Sequence, residues 1–488
     1  MTNRRRYLTC SVLAVLASVW GCDRPAADRP NFVFFIIDDL GWTDTGAYGS
    51  TFYETPNIDR LAAAGARFTQ FYSASPVCSP TRASIMTGKD PARLNITNWI
   101  GGEQVGMLLQ AEYLRQLPLD EITLGEAFEQ AGYATGYIGK WHLGAEGFLP
   151  PDQGFDFAFA VNHAGQPGSY FFPYENPNWP ITNVPDLEDG EPGDYLTDQL
   201  TDAALEFIAA RRDTTFFLVL SHYAVHTPLQ AKPELTAKYR SKAQSLAAVD
   251  APAFRPEGAN ATTKQRQDHP VYAGMIESTD QSVGRVLALL DSLELADHTV
   301  VVFVSDNGGL STLTRSRGIP TAVLPLRAGK GWLYEGGVRV PLIVKWPGVI
   351  EGGRRVDQPA ITMDLYPTLL EIAGLPLRPD QHRDGLSLAP LLRGSDSLDR
   401  RQLLFHFPHY HGSGNRPSGA ARVGNFKLLE WFEDGKTELY DLSADIGESR
   451  DLAEQTPELA GELHEILVEW RRSIGARMPV PNPDWPPD

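Results

Sequence analysis

Cysteine is nearly absent from this chain: three among 488 residues, Cys10, Cys22 and Cys78. The first two fall in an N-terminal segment that reads as a targeting signal. That leaves Cys78 without a partner and argues against a disulfide-stapled scaffold. Positive charge is also in deficit, with 43 Lys and Arg against 61 Asp and Glu, a formal net charge of −18. A broad nucleic-acid face or docking onto anionic lipid needs a basic surface, so neither is expected. An anionic substrate would have to be drawn in by a local basic pocket. No internal repeat is visible. The only long apolar run outside strand-sized segments is Leu8 to Trp20, too short for a comfortable membrane span. What the chain does have is 42% hydrophobic and 10% aromatic residues, enough for one large domain with a smaller one attached.

Residues 1–22 read as an export signal: Arg4-Arg5-Arg6 is the basic start, Leu8 to Trp20 the apolar stretch, and polar residues follow Cys22. Gly21-Cys22 resembles a bacterial lipoprotein cleavage site, which would lipidate Cys22. Val19 and Trp20 depart from the usual residues there, and an ordinary cleaved signal peptide or an uncleaved N-terminal tail is the alternative. The expected location is therefore exported, periplasmic or at the outer surface, with the membrane reached only through that lipid. A lone thiol in an oxidising compartment is a liability unless it is buried or chemically changed.

Residues 23–30 form a polar linker. Beyond it, Asn31 to Ile37, Tyr133 to Ile138, Thr215 to Leu220 and Thr299 to Val304 are short apolar runs of the kind that become buried parallel strands. Thr55-Pro56-Asn57 opens a helix through Ala64, closed by Gly65, and helices are also expected over Glu121 to Ala131, 194 to 212, about 270 to 293 and near 363 to 373. Arg67 to Ser73 alternates as a strand does, and Pro341 to Lys345 reads as another. The alternation predicts an α/β domain on a large, mostly parallel sheet flanked by helices, over 31–395. Residues 145–193, rich in Pro, Gly and aromatics, predict a long loop of the sort that carries function. Residues 241–268 read as a mobile polar insertion. From 396 to 475 the pattern predicts a smaller α+β subdomain, with a hairpin between Ala421–Trp431 and Thr437–Tyr440 and a helix over Pro457–Arg472. Residues 476–488 read as a loose tail.

Cys78-Ser79-Pro80-Thr81-Arg82 is the stretch around which the chemistry gathers. Pro80 suits the first turn of a helix and Gly88 its end, which puts Cys78 at a helix N-terminus with Arg82 on the same face. Backbone N–H groups and a guanidinium suit an anion there, although a buried structural cysteine beside a surface arginine is the ordinary reading of such a pair. The four apolar strands each run into reactive polar residues: Asp38-Asp39, then Lys140 and His142, then His226, then Asp306-Asn307. Each cluster taken alone is also turn or cap chemistry. Sites in open α/β sheets form at the carboxyl ends of strands, so the four are expected to converge. Three carboxylates and an amide oxygen make an all-oxygen set suited to calcium or magnesium rather than zinc. Arg82, Lys140, His142, His226 and Lys330 supply positive charge and protons. Together they fit hydrolysis of an ester of a tetrahedral oxyanion. A protonating histidine there predicts activity that falls as it deprotonates.

These residues resemble the sulfatase family of the alkaline-phosphatase-like superfamily. The signature Cys78-Ser79-Pro80-Thr81-Arg82 is joined by Asp38-Asp39-Leu40-Gly41, Gly139-Lys140-Trp141-His142-Leu143-Gly144, Asp306-Asn307-Gly308-Gly309 and Lys330 with Tyr334-Glu335-Gly336-Gly337-Val338-Arg339, in that family's order. The resemblance implies that Cys78 is converted to formylglycine by a formylglycine-generating or anaerobic sulfatase-maturing enzyme, and that its hydrate attacks sulfur. It implies calcium, with magnesium the less expected ion, held by Asp38, Asp39, Asp306, Asn307 and the modified Cys78. Arg82 and Lys140 would stabilise the formylglycine and the sulfate, His142 would help break down the sulfated intermediate, and His226 and Lys330 would hold the sulfate and protonate the leaving oxygen. The segment His406 to His411, with Pro417-Ser418-Gly419, and Tyr170 to Tyr174 are similar to bacterial sulfatases acting on sulfated galactose or N-acetylgalactosamine. That makes His409 and His411 candidate sugar contacts and a sulfated carbohydrate the expected substrate. A phosphonate or phosphodiester hydrolase, a thiol hydrolase using Cys78 with His142 or His226, and a non-catalytic glycan-binding lipoprotein are the competing readings.

Overall fold

Asn31–Ile37 (β1) carries no polar side chain after its first residue and is buried along its whole length. Its alternate residues serve two cores. Phe32, Phe34 and Ile36 pack with Ala83, Ile85 and Met86 and with Leu365, Leu369 and Leu370. Val33, Phe35 and Ile37 pack with Ile58, Leu61, Leu200, Phe207, Tyr272 and Val283 on the other side. A strand covered on both faces has to be apolar throughout, which is why its sequence shows no alternation.

The computed structural model describes residues 29–246, 252–314, 318–400 and 402–486. The signal segment, Cys22 and most of the 23–30 linker lie outside the described residues. The main sheet has eight strands: β1, Ala66–Phe68 (β2), Ala134–Gly139 (β3), Phe157–Phe159 (β4), Phe216–Ser221 (β5), Thr299–Ser305 (β6), Leu342–Lys345 (β7) and Arg354–Val356 (β8). Their spatial order is β8-β2-β7-β6-β1-β5-β3-β4. Only β7 runs against the rest. Phe35 of β1 lies opposite Phe303 of β6 and Leu220 of β5. The four strands that end in polar clusters are therefore neighbours, β6-β1-β5-β3, all pointing the same way. Helices Pro56–Ala64 (α1), Leu196–Ala210 (α3) and Pro270–Ser292 (α4) cover one face, and Cys78–Thr87 (α2) and Leu365–Ala373 (α5) the other.

A second, antiparallel sheet follows in the C-terminal part: Gln402–Phe407 (β9), Ser418–Val423 (β10), Phe426–Trp431 (β11) and Thr437–Asp441 (β12). One face packs under helix Pro457–Ile474 (α6) through Leu404, Leu428, Leu439, Leu463 and Leu467. The other face packs Phe405, Leu429 and Trp431 against Tyr72, Trp332 and Tyr334. Among the described residues, no helix is long and apolar enough to cross a membrane.

Four local expectations need correction. The alternating run Arg67–Ser73 is two strands, not one: Ala66–Phe68 joins the main sheet, while Phe71–Tyr72 pairs with Ala360–Ile361. The stretch 241–268 holds the end of helix Pro233–Ser245 and a hairpin, Phe254–Glu257 with Ala261–Lys264, extended by Thr312–Leu313. Ala421 to Trp431 is not a single strand, because the chain reverses at Gly424 (φ +56°) between β10 and β11. The stretch 476–488, expected loose, is tied down where Val480–Pro481 pairs with Leu108–Leu109. For 67–73, for the strand 312–313 added to the hairpin and for 480–481 the deciding partner is remote in sequence, so local pattern could not supply it.

Candidate active site

Helix α2 starts at Cys78 after the extended Val77, with no side chain capping its first turn. The entry is fixed instead by Thr81, whose hydroxyl donates to the Ser75 and Val77 carbonyls at 3.0 and 3.2 Å. Gly88 ends the helix at φ +70°, where a Cβ would sit 2.4 Å from His382. Arg82, one turn on from Cys78, is buried and reaches across to β6: its Nε donates to Asp306 Oδ2 at 2.8 Å. Its Nη1 donates to the Lys140 carbonyl and Ser221 Oγ at 2.8 and 2.7 Å. One guanidinium thus ties together the ends of three strands, a task suited to its rigid fork of donors.

Asp38 and Asp39 leave β1 in different directions because Asp39 adopts φ +61°. Asp38 Oδ2 takes Lys140 Nζ at 2.5 Å, and Asp39 Oδ1 takes Lys330 Nζ at 2.7 Å. His142 also has a positive φ, +58°. Left-handed backbone at two non-glycine site residues is strain of the kind that gathers at functional centres. His142 Nδ1 lies 3.2 Å from Cys78 Sγ, and its Nε2 lies 3.1 Å from the Ile100 carbonyl. A carbonyl only accepts, so the proton sits on Nε2 and Nδ1 faces sulfur as an acceptor. His226 Nδ1 donates to the Thr227 carbonyl at 2.9 Å, which leaves Nε2 3.7 Å from Asp39 Oδ2.

Charge in this cluster is finely divided. Burial pushes Asp38 well above the usual carboxylate range, with Asp306 and Asp39 adding to it and Lys140 opposing. Burial acts on Asp39 too, but Lys330, His226 and Lys140 overcome it and hold Asp39 low. Burial works against the Lys330 charge, yet Asp39 keeps that ammonium above its ordinary value. Burial raises the Cys78 thiol despite Lys140 and Lys330, so the unmodified sulfur is a neutral thiol. Burial and then Lys140 depress His142 well below its usual value; burial and then Lys330 bring His226 to about 3.

Asp39, Cys78, His142, His226, Lys330 and His411 all open onto one cavity of about 660 Å³. His409 does not join them: it is fully buried, with Nε2 2.8 Å from Thr97 Oγ1 and its ring edge-on to Tyr113. Tyr170 and Tyr174 are buried as well, and Tyr170 OH donates to the Tyr223 and His226 carbonyls at 2.6 and 2.9 Å, bracing the turn that carries His226.

The family model for sulfatases matches residues 30–375. The chain belongs to the sulfatase family. A second model, the C-terminal part of N-sulphoglucosamine sulphohydrolase, matches residues 328–473. Arylsulfatase A of Homo sapiens is 34% identical, covering 94% of this chain and 90% of that protein. N-acetylgalactosamine-6-sulfatase of Canis lupus familiaris is 35% identical over 83% of this chain and 72% of that protein. The crystal structure of Ps i-CgsB in complex with k-i-k-neocarrahexaose superposes with a TM-score of 0.73 at 30% identity, covering 91% of this chain and 92% of that one. The sulfatase is a sulfuric ester hydrolase of the alkaline-phosphatase-like superfamily.

The sulfatase site fits a hard divalent cation. Asp38, Asp39 and Asp306 each bring a carboxylate oxygen within 4.8 Å of the others, all buried. Asp38 Oδ1 and Asn307 Oδ1 are buried with no hydrogen-bond partner. Asn307 is oriented by its own Nδ2, which donates to Asp39 Oδ1 at 2.8 Å and leaves its oxygen free. Unpaired buried oxygens are costly, and a hard dication is what an all-oxygen set would take up. Sequence reasoning missed Ser221, which bonds both Arg82 and the Lys140 carbonyl. It also missed the cavity walls Trp99, Gln166 and Trp179. The signal for Ser221 was its place as the first polar residue after an apolar strand; the 145–193 loop had been marked as function-bearing, without its residues.

Proposed function

We propose that this sulfatase cleaves carbohydrate sulfate esters, galactose or N-acetylgalactosamine sulfates foremost, with Cys78 converted to formylglycine and calcium held beside it. The observation that carries the proposal is the position of Cys78: a buried, uncapped helix start that lines the cavity with Asp39 and Lys330, its sulfur within the electrostatic reach of Lys140, Lys330, Asp38 and Asp306. Asp38, Asp39, Asp306 and Asn307 would hold the cation, which when bound supplies charge neutralisation and Lewis acidity toward a sulfate oxygen. Formylglycine supplies, as its hydrate, a hydroxyl nucleophile in place of a neutral thiol. Arg82 fixes Asp306 and the Lys140 backbone, so the donors are set before substrate enters. Lys330 presents a retained proton and positive charge at the cavity wall, where a sulfate and its leaving oxygen would lie. His142 Nδ1 accepts from whatever group position 78 carries. Likeness to N-acetylgalactosamine-6-sulfatase and to a saccharide-bound structure supports the sugar reading. Export through residues 1–22, anchoring at Cys22 and maturation by a formylglycine-generating or anaerobic sulfatase-maturing enzyme belong to the same proposal.

A thiol hydrolase is the second reading, favoured by the 3.2 Å Cys78–His142 pair. Against it stand a thiol raised by burial and a histidine depressed by burial, the reverse of an activated ion pair. Sulfated saccharides, aryl sulfates, phosphodiesters and phosphonates assayed side by side test the proposal. Sulfate release should dominate and vanish in Cys78→Ala. Faster turnover of phosphonates, or full activity in Cys78→Ala, would overturn it.

A further inference from the structure

We infer that Trp179 is a stacking platform for a second sugar ring, so that the preferred substrate is a sulfated oligosaccharide rather than a sulfated monosaccharide. The inference rests on the carbohydrate reading above. Trp179 is 52% exposed, whereas Trp141, Trp332, Trp346 and Trp431 are buried. Its indole makes no hydrogen bond, ring contact or cation contact among the described residues, so the fold gains nothing visible from it. Yet it lines the same cavity as Cys78 and Lys330. Ile181, 49% exposed, stands two residues away on the same wall.

This wall is held in place by its backbone. Trp179 N donates to the Asn176 carbonyl at 2.9 Å, and the Trp179 carbonyl accepts from Thr182 N and Thr182 Oγ1 at 3.0 and 2.7 Å. Gly168 N donates to the Thr182 carbonyl at 2.7 Å, and Asn162 Nδ2 to the Asn183 carbonyl at 2.8 Å. An anchored loop that displays a large apolar ring at a cavity mouth is a ligand surface rather than a packing accident.

The chemistry of the neighbours selects the occupant. A pyranose offers an apolar C–H face to an indole and hydroxyls around its edge. Gln166, His163 and Thr314 line the same cavity to meet such an edge. His411 adds a donor: its Nδ1 accepts from Ser413 N at 3.2 Å, so the proton is on Nε2, which has no protein partner among the described residues. A wholly apolar alcohol would leave these groups unsatisfied. A cavity of about 660 Å³ also exceeds what one sulfated ring resting on Lys330 would fill.

Kinetics on matched substrates test this. Wild type should show a higher kcat/KM on a sulfated tetrasaccharide than on the corresponding monosaccharide sulfate. Trp179→Ala should raise KM on the tetrasaccharide about tenfold. The same variant should leave the monosaccharide sulfate and an aryl sulfate essentially unchanged, with the same thermal midpoint, and Trp179→Phe should recover most of the loss. Equal loss on all three substrates, or no loss on the tetrasaccharide, would overturn the inference while leaving the carbohydrate reading intact. A larger loss on the aryl sulfate would overturn it in favour of an apolar alcohol. Wild type that turns over aryl sulfates but no saccharide would instead show that the carbohydrate reading itself had failed, and the inference with it.

Discussion

Two of the buried charge clusters among the described residues differ in what they leave unpaired. In the first, Asp38, Asp39 and Asp306 meet Lys140, Lys330 and Arg82, while Asp38 Oδ1, Asn307 Oδ1 and Arg82 Nη2 are left without partners. In the second, Glu335 accepts from Tyr72 OH, Lys427 Nζ and Arg339 Nη1 at 2.8, 3.0 and 3.2 Å. Glu448 Oε2 accepts from Glu335 N at 2.6 Å, and Oε1 pairs with Lys427 at 2.9 Å. In the second cluster Lys427 faces a carboxylate oxygen of each glutamate, and Glu448 Oε1, though 2.9 Å from that ammonium, makes no well-aligned hydrogen bond; the cluster locks the C-terminal sheet onto the loop that carries Lys330. The first stays open toward something it would bind. Burial and opposite charge are common to both, so neither marks function; the first differs in leaving an amide oxygen, Asn307 Oδ1, and a guanidinium nitrogen, Arg82 Nη2, unpaired beside Asp38 Oδ1.

The largest difference should come from paired substitutions. Asp306→Ala removes a proposed cation ligand and the Arg82 anchor, and should lower kcat for sulfate release on the order of 10³-fold or more with the fold retained by circular dichroism. Lys427→Met should do the reverse. It strands Glu335 and Glu448, so chemical denaturation should show a loss of about 3–5 kcal/mol, while activity per folded molecule at low temperature changes little. If Lys427→Met abolished activity without loss of stability, the second cluster would not be merely structural.

Cation removal should separate the clusters next. A chelator should lower the thermal midpoint of wild type, since a cation bound at 100 times its Kd adds about 2.7 kcal/mol. It should leave Asp38→Asn/Asp306→Asn unmoved and Lys427→Met still responsive. An identical chelator shift in the Asp38→Asn/Asp306→Asn variant would place the cation elsewhere.

The smallest effect is one of pH. Burial and then Glu335 raise Glu448 to about 7, against the pull of Lys427. A carboxyl with a raised folded pKa holds its proton where the unfolded chain has lost it. Its contribution to stability is therefore full below the unfolded value and falls as pH rises from about 4 to 7. Wild type should lose stability over that window more steeply than Glu448→Gln; equal slopes would contradict the assignment.

How much of this was legible beforehand follows from what each element depends on. The four site-bearing strands are covered on both faces, and such burial writes itself as uninterrupted apolar sequence, so Asp38-Asp39 and Asp306-Asn307 could be placed at strand ends. The helix at Cys78 was legible from Pro80 and Gly88. The strand 312–313 that extends the hairpin of 254–264, and the anchoring of 480–481 on 108–109, depend on remote partners and left no local trace. His409 and His411 stand two residues apart in one loop, and only the packing of Thr97 and Tyr113 on one of them separates buried from cavity-lining. Trp179 sits in a Pro- and Gly-rich stretch whose path is set by turns, so its exposure could not be read from composition.

The central claim is that the working group at position 78 is not a thiol. Mass spectrometry of the tryptic fragment spanning 68–82, on preparations made with and without a maturation enzyme, tests it directly. Active preparations should carry a species lighter by about 18 Da than the thiol form, and specific activity should scale with its fraction. Full sulfate release from protein in which Cys78 is entirely thiol would contradict the account.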